Sequence, residues 1–537
     1  MSAVLNSPLA SSDEKPDYSK DGEKNALGER DVSIEQPSVD RGEDLLSLQD
    51  VDPALNAKMH LVNNAIDEIG WTPYHWKLFV LNGFGYAVDS LLLLLQSIIA
   101  TQAGYEFNPS YARALTIAVY VGMLFGALFW GLSADVIGRR FAFNTSLFIC
   151  SVFATVAGAA PNWASLAVFI ALLGFGGGGN LIMDTTVFIE FLPSNKQWVL
   201  TWLASWWGLG QAIAGFIAWG FLSPAKWNCT DPFDKNGNQI GECPYSSNMG
   251  WRYVMYTSGA LVFAMSVARI TVIRLKETPK YLLGEGKDAE LVEGFQKMAA
   301  KYNRPCSITV EMLDACGVIQ SSHGKSKFSV SELAVHVRGL FATKTIGLST
   351  VLIWLSWTLI GLAYPLFYVF LSSYLSSRGA ELGDVSTYDT WRNYALVNIS
   401  GIPGPMLAGY MCNWKYLGRK YTMVIGALVT MAFFFASTQV RTQAQNVGFN
   451  CAIGFCLNIY YGTLYAYTPE VLPSAHRATG NGIAVACNRI MGILSAVIAT
   501  VANTSTSVPI YVCAALYIAM AGVAVSFPFE PFGKRSS

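Results

Sequence analysis

Two ionisable side chains stand deep inside apolar runs of this sequence, and the chemistry open to them is ionic. Asp89 lies in Gly83-Phe-Gly85-Tyr-Ala-Val-Asp89-Ser-Leu-Leu, and Arg489 in Ala486-Cys-Asn488-Arg489-Ile-Met. A carboxyl can take up and release a proton, whereas a guanidinium keeps its charge and can hold an anion. Placing either at the centre of a membrane span costs roughly 3 kcal/mol on insertion scales, so a buried partner or a function is expected. Two readings stand for each. Asp89 is a proton carrier or a fixed hydrogen-bonding residue. Arg489 is the counter-ion of an anionic solute, or a permanent partner of Asp89 or of a helix-end carbonyl. Gln96, Gln211, Tyr364, Tyr368, Asn458, Tyr461 and Asn488, with Trp206 and Asn393, are further polar or aromatic residues in apolar runs. Together they suit a medium-sized, partly apolar organic solute better than an inorganic ion. No metal-ligand cluster, nucleophile elbow or phosphate-binding glycine loop occurs in the sequence. The glycines of Gly174-Phe-Gly-Gly-Gly-Gly-Asn180 have no Lys-Ser/Thr after them, so an enzyme, a metal and a cofactor are not expected.

A series of apolar helices must position these residues. Hydrophobic residues make up 52% of the chain and charged ones 13%, an imbalance that a soluble domain does not need. The apolar residues gather in runs of around 20, long enough to cross a hydrocarbon core of roughly 30 Å. The formal net charge is +0, so no field favours nucleic acid. The runs predict an all-α membrane protein with twelve transmembrane helices in two six-helix halves, 71–273 and 345–528. Residues 1–70 are rich in Ser, Asp, Glu and Lys and read as a disordered tail. Residues 274–344 read as a polar linker holding an amphipathic helix over 288–302, and 529–537 as a second tail.

The loops fix the orientation. Gly131-Leu-Ser-Ala-Asp135-Val-Ile-Gly138-Arg139-Arg140 joins two predicted spans, and Gly409-Tyr-Met-Cys-Asn413-Trp-Lys-Tyr-Leu-Gly418-Arg419-Lys420 partly echoes it. Both basic hairpins, the linker and Lys534-Arg535 fall on one face, which the positive-inside rule makes cytoplasmic along with both termini. Gly131 allows close helix approach, Gly138 a tight turn, and Asp135 an ion pair that latches one conformation. Cys229 and Cys243 share a loop on the opposite face, where a disulfide is expected, and Asn228-Cys-Thr230 in the same loop is a glycosylation sequon. Duplicated halves with basic hairpins on one face point to a transporter built from repeats.

The Gly131–Arg140 loop resembles the signature loop of the major facilitator superfamily residue for residue. Gly174–Pro193, including Asp184 and Glu190, resembles the synaptic-vesicle-related and organic-ion branch close to the sugar porters, particularly its fungal members. Glu277-Thr-Pro279-Lys-Tyr-Leu and Tyr467-Thr-Pro469-Glu470-Val-Leu-Pro473 resemble segments of the same relatives. That resemblance implies that Glu190 faces Arg139 or Arg140 and that Glu470 faces Arg419, as latches that open and close. An arginine at the place of Arg489 resembles that of organic-anion carriers. Helix 7 lacks the paired glutamines of hexose carriers, Ile170 stands where relatives carry an arginine, and Leu92 where a second acid often follows Asp89. The first two departures argue against a hexose, and the third bears on proton coupling through Asp89. Arg269 lies close enough to the cytoplasmic face to snorkel out and is read as structural. The expectation is therefore a monomeric secondary transporter of a small organic solute, such as an organic anion, coupled to protons and contacting lipid, in the plasma membrane ahead of an internal one. A sensor or vesicle-associated protein that keeps the fold without transport is the alternative.

Overall fold

The computed structural model of the chain describes residues 53–111, 113–137, 139–232, 241–273, 277–319, 330–382, 386–473, 476–501 and 508–533. Among them all regular structure is helical. The first half comprises α1 (Pro53–Ile69), α2 (Pro73–Phe107), α3 (Ala114–Ile137), α4 (Arg139–Ala157), α5 (Trp163–Phe191), α6 (Val199–Leu203), α7 (Ser205–Leu222) and α8 (Gly250–Ala268). The linker carries α9 (Pro279–Gly284), α10 (Asp288–Tyr302), α11 (Val310–Asp314) and α12 (Val330–Gly339). The second half comprises α13 (Lys344–Leu382), α14 (Thr387–Ser400), α15 (Pro403–Cys412), α16 (Gly418–Ser437), α17 (Gln443–Val471), α18 (Arg477–Val501) and α19 (Val508–Val525). Eight of these helices are long and apolar enough to cross a membrane, and Phe141–Ala157 and Ile510–Val525 are shorter apolar helices.

Three local features differ from the sequence reading. Residues 53–69, expected in the disordered tail, form α1. Its apolar stripe Met59, Val62, Ile66 and Ile69 packs on Leu282, Leu283, Leu291, Val292 and Phe295 of the linker, which supplies the burial that a tail lacks. The eighth span is not one helix, because Gly401 and Ile402 interrupt it between α14 and α15 and Pro403 starts a new helix. α8 ends in a π turn, Arg269–Ile273, a form of helix found frequently at functional positions.

Small residues set the tightest packing. A Cβ on Gly122 or Gly126 of α3 would meet the carbonyls of Ala171 and Phe175 at 1.9 and 2.2 Å, and one on Gly174 or Gly178 of α5 those of Val119 and Met123 at 2.5 and 2.3 Å. Both pairs follow the small-xxx-small spacing, so the two backbones meet face to face. At the end of the bundle away from the linker, Cys229 and Cys243 form the expected disulfide. Beside it Arg252 grips Glu106 with two nitrogens, at 2.7 and 2.8 Å. Asn228 points inward instead of outward: its Nδ2 donates to the carbonyls of Phe221 and Pro224 at 2.9 and 2.8 Å. The atom that would carry a glycan thus ties down the end of α7.

Candidate functional site

The two intramembrane charges meet. Arg489 Nη2 on α18 donates to both oxygens of Asp89 on α2, at 3.2 and 3.3 Å, and both side chains are almost wholly buried. The pair joins the first half to the second. An ion pair stripped of water stays favourable only if its remaining polar atoms are satisfied. Here Arg489 Nε and the neighbouring Tyr86 hydroxyl are buried with no hydrogen-bond partner among the described residues. The site therefore has unused hydrogen-bonding capacity beside its cation.

Aromatic rings surround the pair. Tyr461 and Tyr465, one helical turn apart on α17, lie 4.8 Å from each other between ring centroids. Trp357 of α13 stands edge-on to Tyr465 at 4.7 Å, Trp207 of α7 lies 5.8 Å from Tyr461, and Tyr86 of α2 lies 5.7 Å from Tyr465. Gln211 Nε2 donates to the Tyr364 hydroxyl at 2.5 Å, a second bond between the halves. Asn488 reaches the Trp357 carbonyl and the Tyr461 hydroxyl, each at 3.4 Å. The structure thus gathers Asp89, Arg489, Asn488, Gln211, Tyr364 and Tyr461 from five helices. Trp207, Trp357, Tyr465 and Tyr86 complete the site and were not among the candidates. Helical spacing could have found them: Trp357 and Tyr364 are seven apart, Tyr461 and Tyr465 four, and Tyr86 and Asp89 three.

Other candidates lie elsewhere. Gln96 accepts from Thr116 at 2.8 Å and joins α2 to α3 within the first half. Asn458 donates to Gly454 of its own helix at 2.7 Å and lies against Gly401 at the α14–α15 break. Trp206 turns away from its neighbour Trp207 and packs on Phe79 and Phe84. The side chain of Tyr368 lies outside the described residues.

Arg269, which could have snorkelled out, instead forms a second buried pair. Its Nη2 donates to Asp184 Oδ1 at 2.9 Å and to the Leu81 carbonyl at 3.2 Å, and its Nη1 to the Phe143 carbonyl at 3.0 Å. The guanidinium lies 3.6 Å over the Phe143 ring. Arg269 stays inside because α5 supplies Asp184 and two other helices supply carbonyls, so the journey to water would leave three acceptors unmet. Gly85, one turn from Asp89, makes room: a Cβ there would stand 1.5 Å from Asp184 Oδ2.

The sequence profile of the Major Facilitator Superfamily matches residues 78–496. The chain belongs to the major facilitator superfamily. It is 40% identical to an MFS siderochrome iron transporter 1 of Ceriporiopsis subvermispora, over 92% of this chain and 94% of that one. It is 27% identical to the niacin transporter NiaP of Acinetobacter baylyi, over 82% of this chain and 90% of that protein, and 25% identical to a synaptic vesicle 2-related protein of Rattus norvegicus, over 92% and 85%. Among solved structures, the proton:xylose symporter XylE bound to 6-bromo-6-deoxy-D-glucose superposes with a TM-score of 0.64 at 15% identity, covering 86% of this chain and 98% of that one. The fold is the twelve-helix fold of the superfamily, in two six-helix halves, and the chain is a multi-pass membrane protein. It stands in a family of transporters, not enzymes.

The superfamily's signature loop is only partly described. Gly131 is buried near the end of α3, whereas Gly138 and the side chains of Asp135, Arg139 and Arg140 lie outside the described residues. Glu190 is buried at the end of α5. The second copy is described in full. Arg419 Nε and Nη2 donate to the two oxygens of Glu470 at 3.0 and 3.1 Å, and Nη1 reaches the Cys412 carbonyl at 3.4 Å. Where the loop has Asn413 in place of an acid, the carboxylate comes from Glu530, which the sequence reading left in the tail. Its two oxygens accept the backbone N–H groups of Arg419 and Lys420, each at 2.9 Å, at the first turn of α16. Gly418, with φ +58°, has no room for a Cβ beside that carboxylate. On the same face, the Nδ1 atoms of His336 on α12 and His476, just before α18, lie 2.9 Å apart. Burial, and then the neighbouring His336, hold His476 down to about 4.

Proposed function

We propose that the chain is a proton-coupled secondary transporter of a small organic anion, moving it by alternating access across the plasma membrane as a monomer with both termini in the cytoplasm. The observation that carries this reading is the Asp89–Arg489 pair, which joins the two halves inside an aromatic cage. Arg489 cannot give up its proton, so when Asp89 leaves it another anion must take its place. Protonation of Asp89 releases the guanidinium to the substrate's anionic group. Tyr461, Tyr465, Trp357 and Trp207 then cover an apolar or aromatic body, and Gln211, Tyr364 and Asn488 offer hydrogen bonds. After the halves rearrange about this site, loss of the proton lets Asp89 reclaim Arg489 and expel the substrate. The relatives named for a siderochrome and for niacin support an organic solute, and the basic loops on the linker face support the orientation.

The test is uptake into proteoliposomes of a pooled library of organic acids, sugars and amines, with and without an inward proton gradient. Accumulation should need the gradient and be strongest for an organic acid. Asp89→Asn should abolish accumulation and spare exchange of the substrate so found. Equal loss of both, or accumulation indifferent to the gradient, removes Asp89 from proton coupling.

A further inference from the structure

α1 ends on two acids, Asp67 and Glu68, with no base in its last turn. Acids at a helix C-terminus oppose the helix dipole, at a cost of about 0.3–1 kcal/mol each. Their contacts explain the placement. Asp67 accepts both the backbone N–H and the hydroxyl of Ser194, at 2.7 and 2.8 Å, in the turn that follows α5. Glu68 does the same to Ser307 in the linker, with Oε2 accepting the N–H and the hydroxyl, both at 2.8 Å. Adjacent residues thus hold two serines from two segments, and α1 staples the end of α5 to the linker. Asp67, Ser194 and Glu190 line one small cavity with Gln197 and Lys280. What moves the staple therefore bears on the helix that carries Asp184 and Glu190.

The two serines differ in access. Ser194 is half-buried, whereas Ser307 is exposed, on a stretch without regular structure between α10 and α11, with Arg304 also exposed three residues before it. An exposed serine outside regular structure with a basic residue at that spacing is what a basophilic serine/threonine kinase accepts. We propose that Ser307 is a phosphorylation site and that its phosphate opens the Glu68 half of the staple. The γ-phosphoryl group of ATP passes to Ser307 Oγ: the new P–O bond forms, the bond to the β,γ-bridging oxygen breaks, ADP leaves and the hydroxyl proton goes to the kinase's base. The product adds a charge of about −1.5 to −2 where a carboxylate already sits, and removes the hydroxyl donor. Lys58, bonded to Asp288 at 2.6 Å, keeps the other end of α1 attached, so the expected motion is local to residues 60–69. The proposal rests on the linker face being cytoplasmic, where ATP and kinases are found.

The test uses the purified full-length protein with ATP and the catalytic subunit of a basophilic kinase, read by phosphopeptide mapping and by hydrogen exchange. Phosphate should appear on Ser307 and fall away in Arg304→Ala. Exchange across 60–69 should then quicken about tenfold. In Glu68→Lys the phosphate should instead slow exchange there, by pairing with the new ammonium. Ser307→Ala, which keeps the N–H bond to Glu68, should change exchange little. A folded protein with no phosphate on Ser307, or a phosphorylated one with unchanged exchange over 60–69, overturns the proposal. Neither readout needs a substrate, so they stand or fall apart from the transport assay.

Discussion

Gly85→Ala gives the most direct test of how the polar interior is packed. The added methyl would lie 1.5 Å from Asp184 Oδ2, 2.5 Å from its Cγ and 2.9 Å from Arg269 Nη2. These atoms cannot yield cheaply, because Asp184 and Arg269 are fully buried and hold each other at 2.9 Å. Separating a buried pair costs about 3–5 kcal/mol. Alanine in a helix returns about 0.5–1 kcal/mol relative to glycine, leaving a net loss of roughly 2–4 kcal/mol. Gly104, on the same helix, has nothing within 4 Å of its Cβ position. Gly104→Ala should therefore be neutral or gain about 0.5–1 kcal/mol. Thermal unfolding in detergent, followed by size-exclusion fluorescence, should place Gly85→Ala several degrees below the parent and Gly104→Ala at or just above it. A double-mutant cycle then isolates the cause. Asp184→Ala is itself damaging, since it strands Arg269, but in that background Gly85→Ala should cost nothing further. Equal cost of Gly85→Ala in both backgrounds would refute the carboxylate as the source of the strain.

Three further outcomes follow from the two faces of the bundle. Glu530→Gln leaves one good acceptor where two N–H groups need it, so it should lower stability by about 1–2 kcal/mol; unchanged unfolding in Glu530→Gln and in a truncation after Phe529 would show the α16 cap to be idle. Reducing the Cys229–Cys243 bridge, which spans 14 residues, should cost up to about 3 kcal/mol by releasing the loop in the unfolded chain, and a reduced protein as heat-resistant as the oxidised one would contradict that. His476 is held down from 6.5 to about 4 by burial, so the unfolded chain takes the proton first. The stability it contributes is complete above 6.5 and is lost as the pH falls from there toward 4. Protection of α12 from hydrogen exchange, taken relative to the intrinsic rate at each pH, should fall across that window in the parent and stay level in His476→Gln.

Much of the architecture was legible because membrane spans announce themselves by length and hydropathy. Asp89 and Arg489 were legible for the same reason, as charges where charges are costly. What escaped was mostly a matter of direction. Trp206 and Trp207 are adjacent, about 100° apart on a helix, and composition does not say which one faces the other half. α1 escaped because its residues are polar on average, although Met59, Val62, Ile66 and Ile69 carry a stripe at helical spacing. Glu530 escaped because a carboxylate that caps a helix over a hundred residues away leaves no local trace.

The arrangement of the charges bears on how such a protein can move. Arg269–Asp184 lies within the first half and Arg419–Glu470 within the second, each fixing its own half as a body. Asp89–Arg489 crosses between them. A rocking motion leaves the first two pairs intact and strains the third, so the energy of separation falls on the pair at the centre. Bare separation would strand two buried charges, at about 3–5 kcal/mol for each lost partner. A proton on Asp89 and an anion on Arg489 remove both penalties together, whereas either alone removes one. In the proposed cycle the doubly loaded state therefore separates the halves with neither charge stranded, and the half-loaded ones are held back by the unmatched charge.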